Sequence, residues 1–219
     1  LGLVGSEMCI RDSISGGVKI HLEKHIPIAA GMAGGSTDAA ATLKGMNRLF
    51  DLGCTLKDLM ELGVKIGADV PYCVMGGTAL AEGIGEKLTP LAPAPDCYVL
   101  VAKPDINVST KYVYEHLDAQ EIVKHPDIDG MVEAIAEESL QGILDRMENV
   151  LETVTVSAYP VIQTIKDRMK ELGAINSLMS GSGPTVFGIF VEKDMARRAY
   201  DKLEEEQLAK QIFLTEFCE

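Results

Sequence analysis

Positive charge is scarce in this chain. Lys and Arg number 20 against 33 Asp and Glu, a formal net charge of −13 at neutral pH. No long basic run offsets the deficit. A nucleic-acid partner is therefore not expected, because duplex binding needs clustered cations to neutralise phosphates. An acidic protein can still bind a small phosphorylated ligand, since backbone amides supply local positive potential. Cysteine is equally uninformative for metal or disulfide chemistry. Cys9, Cys54, Cys73, Cys97 and Cys218 make an odd count with no CxxC pair, which disfavours a zinc site and a disulfide framework. A reducing compartment, most simply the cytoplasm, fits this usage. His21, His25, His116 and His125 show no metal-ligand spacing and read as solvated positions. There is no apolar run of about 18 residues, so no membrane span is expected. The common NTPase loop GxxxxGK followed by Ser or Thr is absent, and so is GxGxxG; these absences exclude the usual P-loop and weaken a dinucleotide reading. No internal repeat or low-complexity segment is present.

What remains is ordinarily globular: 219 residues, 47% hydrophobic and 24% charged, enough for one large domain or two small ones. The opening "LGLVGSEMCIRDS" has neither periodicity nor the apolar core of a signal peptide. It resembles translated library-adapter sequence. Residues 1–13 are accordingly expected to be a non-native leader, and the chain a fragment that begins upstream. "APAPD", Ala92 to Asp96, is the best linker, dividing residues 14–95 from 96–219.

The alternation of Val18, Ile20 and Leu22, then Ile26, predicts a strand. A helix is expected from about Ser36 to Leu49, with Ala39, Ala40, Leu43 and Met46 on its buried face. A second helix follows, capped by Thr55. Pro71 is expected to break any helix in "ADVPYCVMGG" and to push Val70 extended. Thr78 to Leu91 reads as a hairpin around Gly83-Ile84-Gly85, with Glu82 and Glu86 on a solvated face. The second half predicts a strand in "CYVLVAKP", a helix from Ser109 or Thr110, helices over "IDGMVEAIAEESLQGILDRMEN" and "YPVIQTIKDRMKELG", and strand–glycine turn–strand in "INSLMSGSGPTVFGIF". An amphipathic helix and a final strand, "QIFLTEFC", complete it. The class is α+β, helices on an antiparallel sheet.

The sharpest signal is "PIAAGMAGGSTDAA", Pro27 to Ala40. Gly31, Gly34 and Gly35 precede Ser36-Thr37-Asp38 and a helical run. Glycine marks positive φ or close approach to the main chain, and Ser, Thr and Asp mark a helix start. A glycine loop feeding a helix N-terminus suits an anion, most simply phosphate. The plainer alternative is a turn that lets a helix pack closely on a strand. Asp69 in "GADVP" is the second candidate: a helix-end carboxylate stands at the wrong end of the dipole unless it has a task. Its plainer reading is a turn aspartate. "SGSGPT", Ser180 to Thr185, reads first as a tight turn.

These segments resemble the GHMP kinases, the family of galactokinase and the homoserine, mevalonate and phosphomevalonate kinases. "PIAAGMAGGSTDAA" is similar to the family's second motif, with an added glycine. "IGADVPYCVMGGTALAEGIGEKLTPL" and "SLMSGSGPTVFGIF" resemble further blocks in the right order. The resemblance covers nearly all of Val18 to Glu219; a lysine-bearing first motif has no match in residues 1–17. It implies a two-lobed kinase, a ribosomal protein S5 domain 2-like lobe, here incomplete, followed by a ferredoxin-like lobe. It implies ATP with Mg2+, the phosphates on Pro27, Ile28, Ala29, Ala30, Gly31, Met32, Ala33, Gly34, Gly35, Ser36 and Thr37, with Ser36 nearest the ion. Asp69 would act as the catalytic base. Thr110, Tyr114, Gly181, Ser182 and Gly183 would lie at the acceptor, with Tyr114 stacking on a base. The doubled glycine points within the family to a cytidine diphosphate-linked methylerythritol, phosphorylated on its 2-hydroxyl on the non-mevalonate route to isoprenoid precursors. The fragment by itself is expected to be inactive, and the enzyme a monomer or homodimer. Another GHMP acceptor, of homoserine or mevalonate type, and a non-catalytic nucleotide-binding homologue are the alternatives. Asn149 in "MENVLE" is read as structural.

Overall fold

The computed structural model describes residues 17–117 and 125–217; the leader expected at residues 1–13, Cys9 and Cys218 lie outside them. The chain divides into two compact units. One holds the chain up to Ile26 and Ala33–Leu91, the other Pro27–Met32 and Ala92–Glu219.

In the first unit, helix α1 (Gly34–Leu49) buries Ala39, Ala40, Leu43 and Met46. Their three-and-four spacing makes one apolar stripe. That stripe packs with Leu59 and Leu62 of α2 (Leu56–Val64) and Val70 and Val74 of α3 (Val70–Met75). Helix α2 starts where Thr55 predicted: its side chain accepts from the Asp58 N–H and the Asp58 carboxylate accepts from the Thr55 N–H, a complete capping box. A Cβ on Gly63 would come 2.9 Å from Val70 Cγ1, so glycine is what lets α3 sit against α2. The hairpin β1 (Ala79–Glu82) and β2 (Lys87–Pro90) pairs Glu82 with Lys87 across Gly83 and Gly85, both at positive φ.

Three expectations fail here. Residues 17–25 form no regular strand and are exposed, Ile20 to 52%. Alternation alone does not make a strand; ladder hydrogen bonds do, and among the described residues no strand pairs with this one. Helix α1 begins at Gly34, so Ser36, Thr37 and Asp38 lie inside its first turns and the N-cap is Ala33. Pro71 does not break α3. It occupies the first turn, where its missing N–H would have had no helical partner.

In the second unit, a four-stranded antiparallel sheet has the order β4–β5–β3–β6, with β3 (Tyr98–Lys103), β4 (Asn176–Met179), β5 (Val186–Phe190) and β6 (Gln211–Glu216). Helix α8 (Val161–Glu171) lies between β3 and β4 in sequence, and α9 (Lys193–Glu205) between β5 and β6. This split βαββαβ order is the ferredoxin-like arrangement. Strand β3 is central and buried on both faces. Leu100 and Ala102 meet Ile162, Ile165 and Met169 of α8 and Ala199 and Leu203 of α9. Val99 and Val101 face the other way, towards Leu144 and Met147. Helix α4 (Thr110–His116) is capped by Ser109, as its sequence suggested. The helical stretch after Asp127 splits into α5 (Ile128–Ala136) and α6 (Leu140–Arg146), because Glu138 takes a positive φ and Ser139 caps a new helix. Helix α7 (Glu152–Ala158) completes the set.

Candidate functional site

Loop Pro27–Met32 belongs to the second unit. Ala29 and Gly31 both take positive φ, at 51° and 67°, while Ala30 between them does not. Such alternation is the backbone condition for a concave nest of N–H groups. Ala30 is buried, and Met32 packs against the cluster of Cys97, Val99, Val101, Leu144 and Ile189. Gly31 is fixed by a contact 149 residues away: the Ser180 hydroxyl donates to its carbonyl at 2.7 Å. A Cβ on Gly31 would come 2.1 Å from the Ser180 carbonyl oxygen. Only glycine fits, for both dihedral and steric reasons.

The Ser180–Thr185 turn is tight and heavily supported. The Ser180 N–H donates to Thr185 O and the Gly183 N–H to Ser180 O. Asn149 Nδ2 donates to the carbonyls of Met179 and Gly181, both at 2.8 Å, which gives this asparagine the structural task expected of it. Glu152 accepts the Met179 N–H at 2.7 Å with one oxygen and the Lys166 ammonium at 2.5 Å with the other. The Thr155 hydroxyl donates to Ser182 O, and Thr110 Oγ1 lies 2.9 Å from Ser182 Oγ. Thr110, Gly181, Ser182 and Gly183 are therefore neighbours. Tyr114 lies one turn beyond Thr110 and is 61% exposed, so its ring is open to solvent. Tyr112, on the same helix, stacks on His116 with ring centroids 4.0 Å apart.

In the first unit, α1 begins at a left-handed Ala33, φ 47°, with no side-chain cap and no acidic residue in the first turn. Its leading N–H groups have no helical acceptor. Gly34 and Gly35 differ in kind. A Cβ on Gly34 would come 2.9 Å from Ile26 Cγ2, so Gly34 serves close packing. A Cβ on Gly35 would meet nothing within 4 Å, and its φ is ordinary. No packing or dihedral requirement calls for glycine at position 35. The Thr37 hydroxyl donates to Ala33 O at 3.1 Å and lies 3.6 Å from Cys73 Sγ on α3.

Asp69 is the N-cap of α3, not a C-terminal residue of the preceding helix, as the Pro71 reading had implied. A carboxylate there stands at the favourable end of the dipole. Its side chain makes no capping bond and the residue is exposed, which leaves both oxygens available. Lys24 was not singled out from sequence. Its ammonium donates to Gly34 O at 3.2 Å and forms a short ion pair with Asp38, so it braces the first turn of α1. The only sequence hint was a lone cation just ahead of the glycine run. Among the described residues no three His, Cys, Asp or Glu side chains gather as a metal cage, and no helix is long and apolar enough to cross a membrane.

A glycine loop locked by a second glycine turn and a ferredoxin-like sheet in one unit, and an uncapped helix start in the other, accompany sequence matches to the small-molecule kinases of GHMP type. Residues 4–77 match the family description "GHMP kinases N terminal domain" and residues 131–210 match "GHMP kinases C terminal"; the chain belongs to this family. Among its curated relatives, the 4-diphosphocytidyl-2-C-methyl-D-erythritol kinase of Lachnoclostridium phytofermentans is 57% identical over 206 residues, covering 94% of this chain and 71% of the relative. The protein of that name from Lachnospira eligens is 57% identical over 203 residues, 93% of this chain and 70% of the relative. A crystal structure of 4-(cytidine 5'-diphospho)-2C-methyl-D-erythritol kinase superimposes with a TM-score of 0.83 at 33% identity, covering 97% of this chain and 75% of that one. A homoserine kinase from Cytophaga hutchinsonii shares the fold, TM-score 0.81 at 21% identity.

Proposed function

We propose that this chain supports ATP-dependent phosphorylation of the 2-hydroxyl of 4-diphosphocytidyl-2-C-methyl-D-erythritol. The observation that carries the phosphate site is Gly35, a glycine on a helix start with open space where its side chain would be. Glycine in a helix costs about 1 kcal/mol relative to alanine; close approach of a phosphate to the backbone explains why that cost is retained. In this reading the triphosphate lies along Pro27 to Thr37, on the N–H groups of the loop and the first turn of α1. Asp69 accepts the proton of the acceptor hydroxyl as its oxygen attacks the γ-phosphorus and ADP departs. Tyr114, exposed one turn beyond Thr110, would offer its ring to the cytosine. Bound with ATP, Mg2+ would neutralise phosphate charge while keeping several waters, and the Ser36 hydroxyl would be the protein oxygen offered to it. A cytoplasmic location matches the five cysteines without a pairing motif.

The test is ADP release by this chain joined to a relative's N-terminal segment, with diphosphocytidyl-methylerythritol, homoserine and mevalonate as acceptors. Turnover with the cytidine substrate alone is expected. Turnover with another acceptor moves the substrate and keeps the site; ATP binding without transfer to any of the three leaves a nucleotide-binding protein.

A further inference from the structure

The β1–β2 hairpin looks peripheral. It is two-stranded, mostly exposed, and carries Ile84 at 71% exposure on its tip. A two-stranded hairpin is marginal alone, so its tip needs internal support, and it has some. Gly85 N–H donates to Glu82 O at 3.1 Å. The Glu86 carboxylate folds back and accepts the Ile84 N–H at 2.7 Å, close enough over Gly83 that a Cβ there would come 2.6 Å from both carboxylate oxygens. Glu86 is thus a solvated hairpin acid, as its sequence position suggested, that also binds the turn's backbone. Backbone N–H groups, its own first and that of Ile84 second, hold its carboxyl below the ordinary range, so it stays ionised at neutral pH.

The tip lies near the peptide that precedes Asp69, with room for no more than a methyl group between them. A Cβ on Gly85, which sits at φ 109°, would come 3.4 Å from the Ala68 carbonyl oxygen and 3.9 Å from its carbon. That carbonyl belongs to the peptide bond between Ala68 and Asp69. On its other side the Asp69 carbonyl accepts the Cys73 N–H, and the neighbouring Val70 N–H donates to Gly67 O; the Asp69 side chain makes no capping bond. The direction of the carboxylate thus depends on how the 68–69 peptide is held.

We infer that the tip of this hairpin is a backstop for the Ala68–Asp69 peptide, and that Gly85 and Glu86 are positioning residues for phosphoryl transfer. The inference rests on the reading of Asp69 as the base. Small displacements of a reacting group cost a large factor in rate while leaving substrate affinity alone. The variants Glu86→Ala, Glu86→Gln and Gly85→Ala, with Asp69→Asn as reference, test it in the chain joined to a relative's N-terminal segment. Glu86→Ala should lower kcat about ten-fold, with KM for ATP unchanged within about two-fold. Glu86→Gln keeps an oxygen acceptor for the Ile84 N–H and should recover most of that loss. Gly85→Ala, forced to an unfavourable φ against Ala68 O, should lose at least as much as Glu86→Ala. In an Asp69→Asn background the further loss from Glu86→Ala should vanish, because there is no longer a base to aim. Hydrogen exchange at the Val70 amide, readable without turnover, should rise in Glu86→Ala. If Asp69→Asn is crippled while the Glu86 and Gly85 variants keep full kcat, the backstop is wrong and Asp69 stands. If Asp69→Asn keeps full turnover, the base assignment fails instead. A Glu86→Ala loss that is undiminished in the Asp69→Asn background, or that falls on KM for ATP, also overturns the inference.

Discussion

Single residues divide here by whether the fold needs them. Gly31 is required twice over by the protein itself, through its φ and through Ser180. Gly35 is not required by it at all. The two glycines therefore respond differently to alanine. Gly35→Ala should raise stability by a few tenths of a kcal/mol, because alanine favours the helix but by less in the first turn than in the interior, and should weaken ATP binding; a thermal melt and a nucleotide titration on the same variant read both signs. A Gly35→Ala protein that binds ATP as well as the parent would remove the phosphate reading. For Asp69→Asn the expected result is the opposite split: ATP binding retained and turnover reduced by about 10² to 10⁴, measured as ADP release. Gly35 and Asp69 lie in motifs that stand out in the sequence. Lys24 does not, because nothing local says that a lysine ten residues before Gly34 will brace its carbonyl.

Elements were legible where the chain carries its own start signal. Thr55 and Ser109 announced α2 and α4, since a cap and the N–H it accepts are only a few residues apart. Removing the cap of α2 by Thr55→Ala should cost about 1 kcal/mol, read from denaturant midpoints, with little change in nucleotide affinity. Elements were misread where a neighbour decides. Alternation at Val18, Ile20 and Leu22 is a strand pattern, yet residues 17–25 have no ladder. Pro71 argued for a break, but a helix that starts at Val70 places it where proline is tolerated. The start of α1 moved two residues forward because Ala33, a poor cap by chemistry, is held in the left-handed conformation that opens the helix. Asn149 acts at this scale as well. Its two bonds close the 180–185 turn against β4, so Asn149→Ala should destabilise by about 1–3 kcal/mol through two unsatisfied carbonyls, checked by chemical denaturation.

For the molecule as a whole, acidity sets the response to pH. Several carboxyls on the second unit lie below the ordinary range: Asp127 through the Gly130 N–H and then Arg146, Glu206 through Arg168, and Asp105 through Lys210. A carboxyl depressed on folding contributes stability above its unfolded value of about 4, and that contribution is lost as pH falls through its folded value. Melting temperature should thus be flat from neutral pH down to about 5 and decline below about 4, more shallowly in high salt, because exposed pairs are screened. A decline already under way at pH 6 would point to other groups.

The sequence by itself determined the α+β class, the glycine loop and the order of motifs that resembles the GHMP kinases. These depend on local chemistry: positive φ, helix starts and hydrophobic period are written within a few residues of where they act. Only the tertiary structure decided which glycines answer to packing and which to open space, that Ser180 locks Gly31 across 149 residues, and that the Glu86 carboxylate bends back onto the Ile84 N–H. Those contacts join segments far apart in the chain or depend on a side chain turning from solvent to backbone. Such a choice is settled by the space and partners that folding supplies, and no local pattern encodes it.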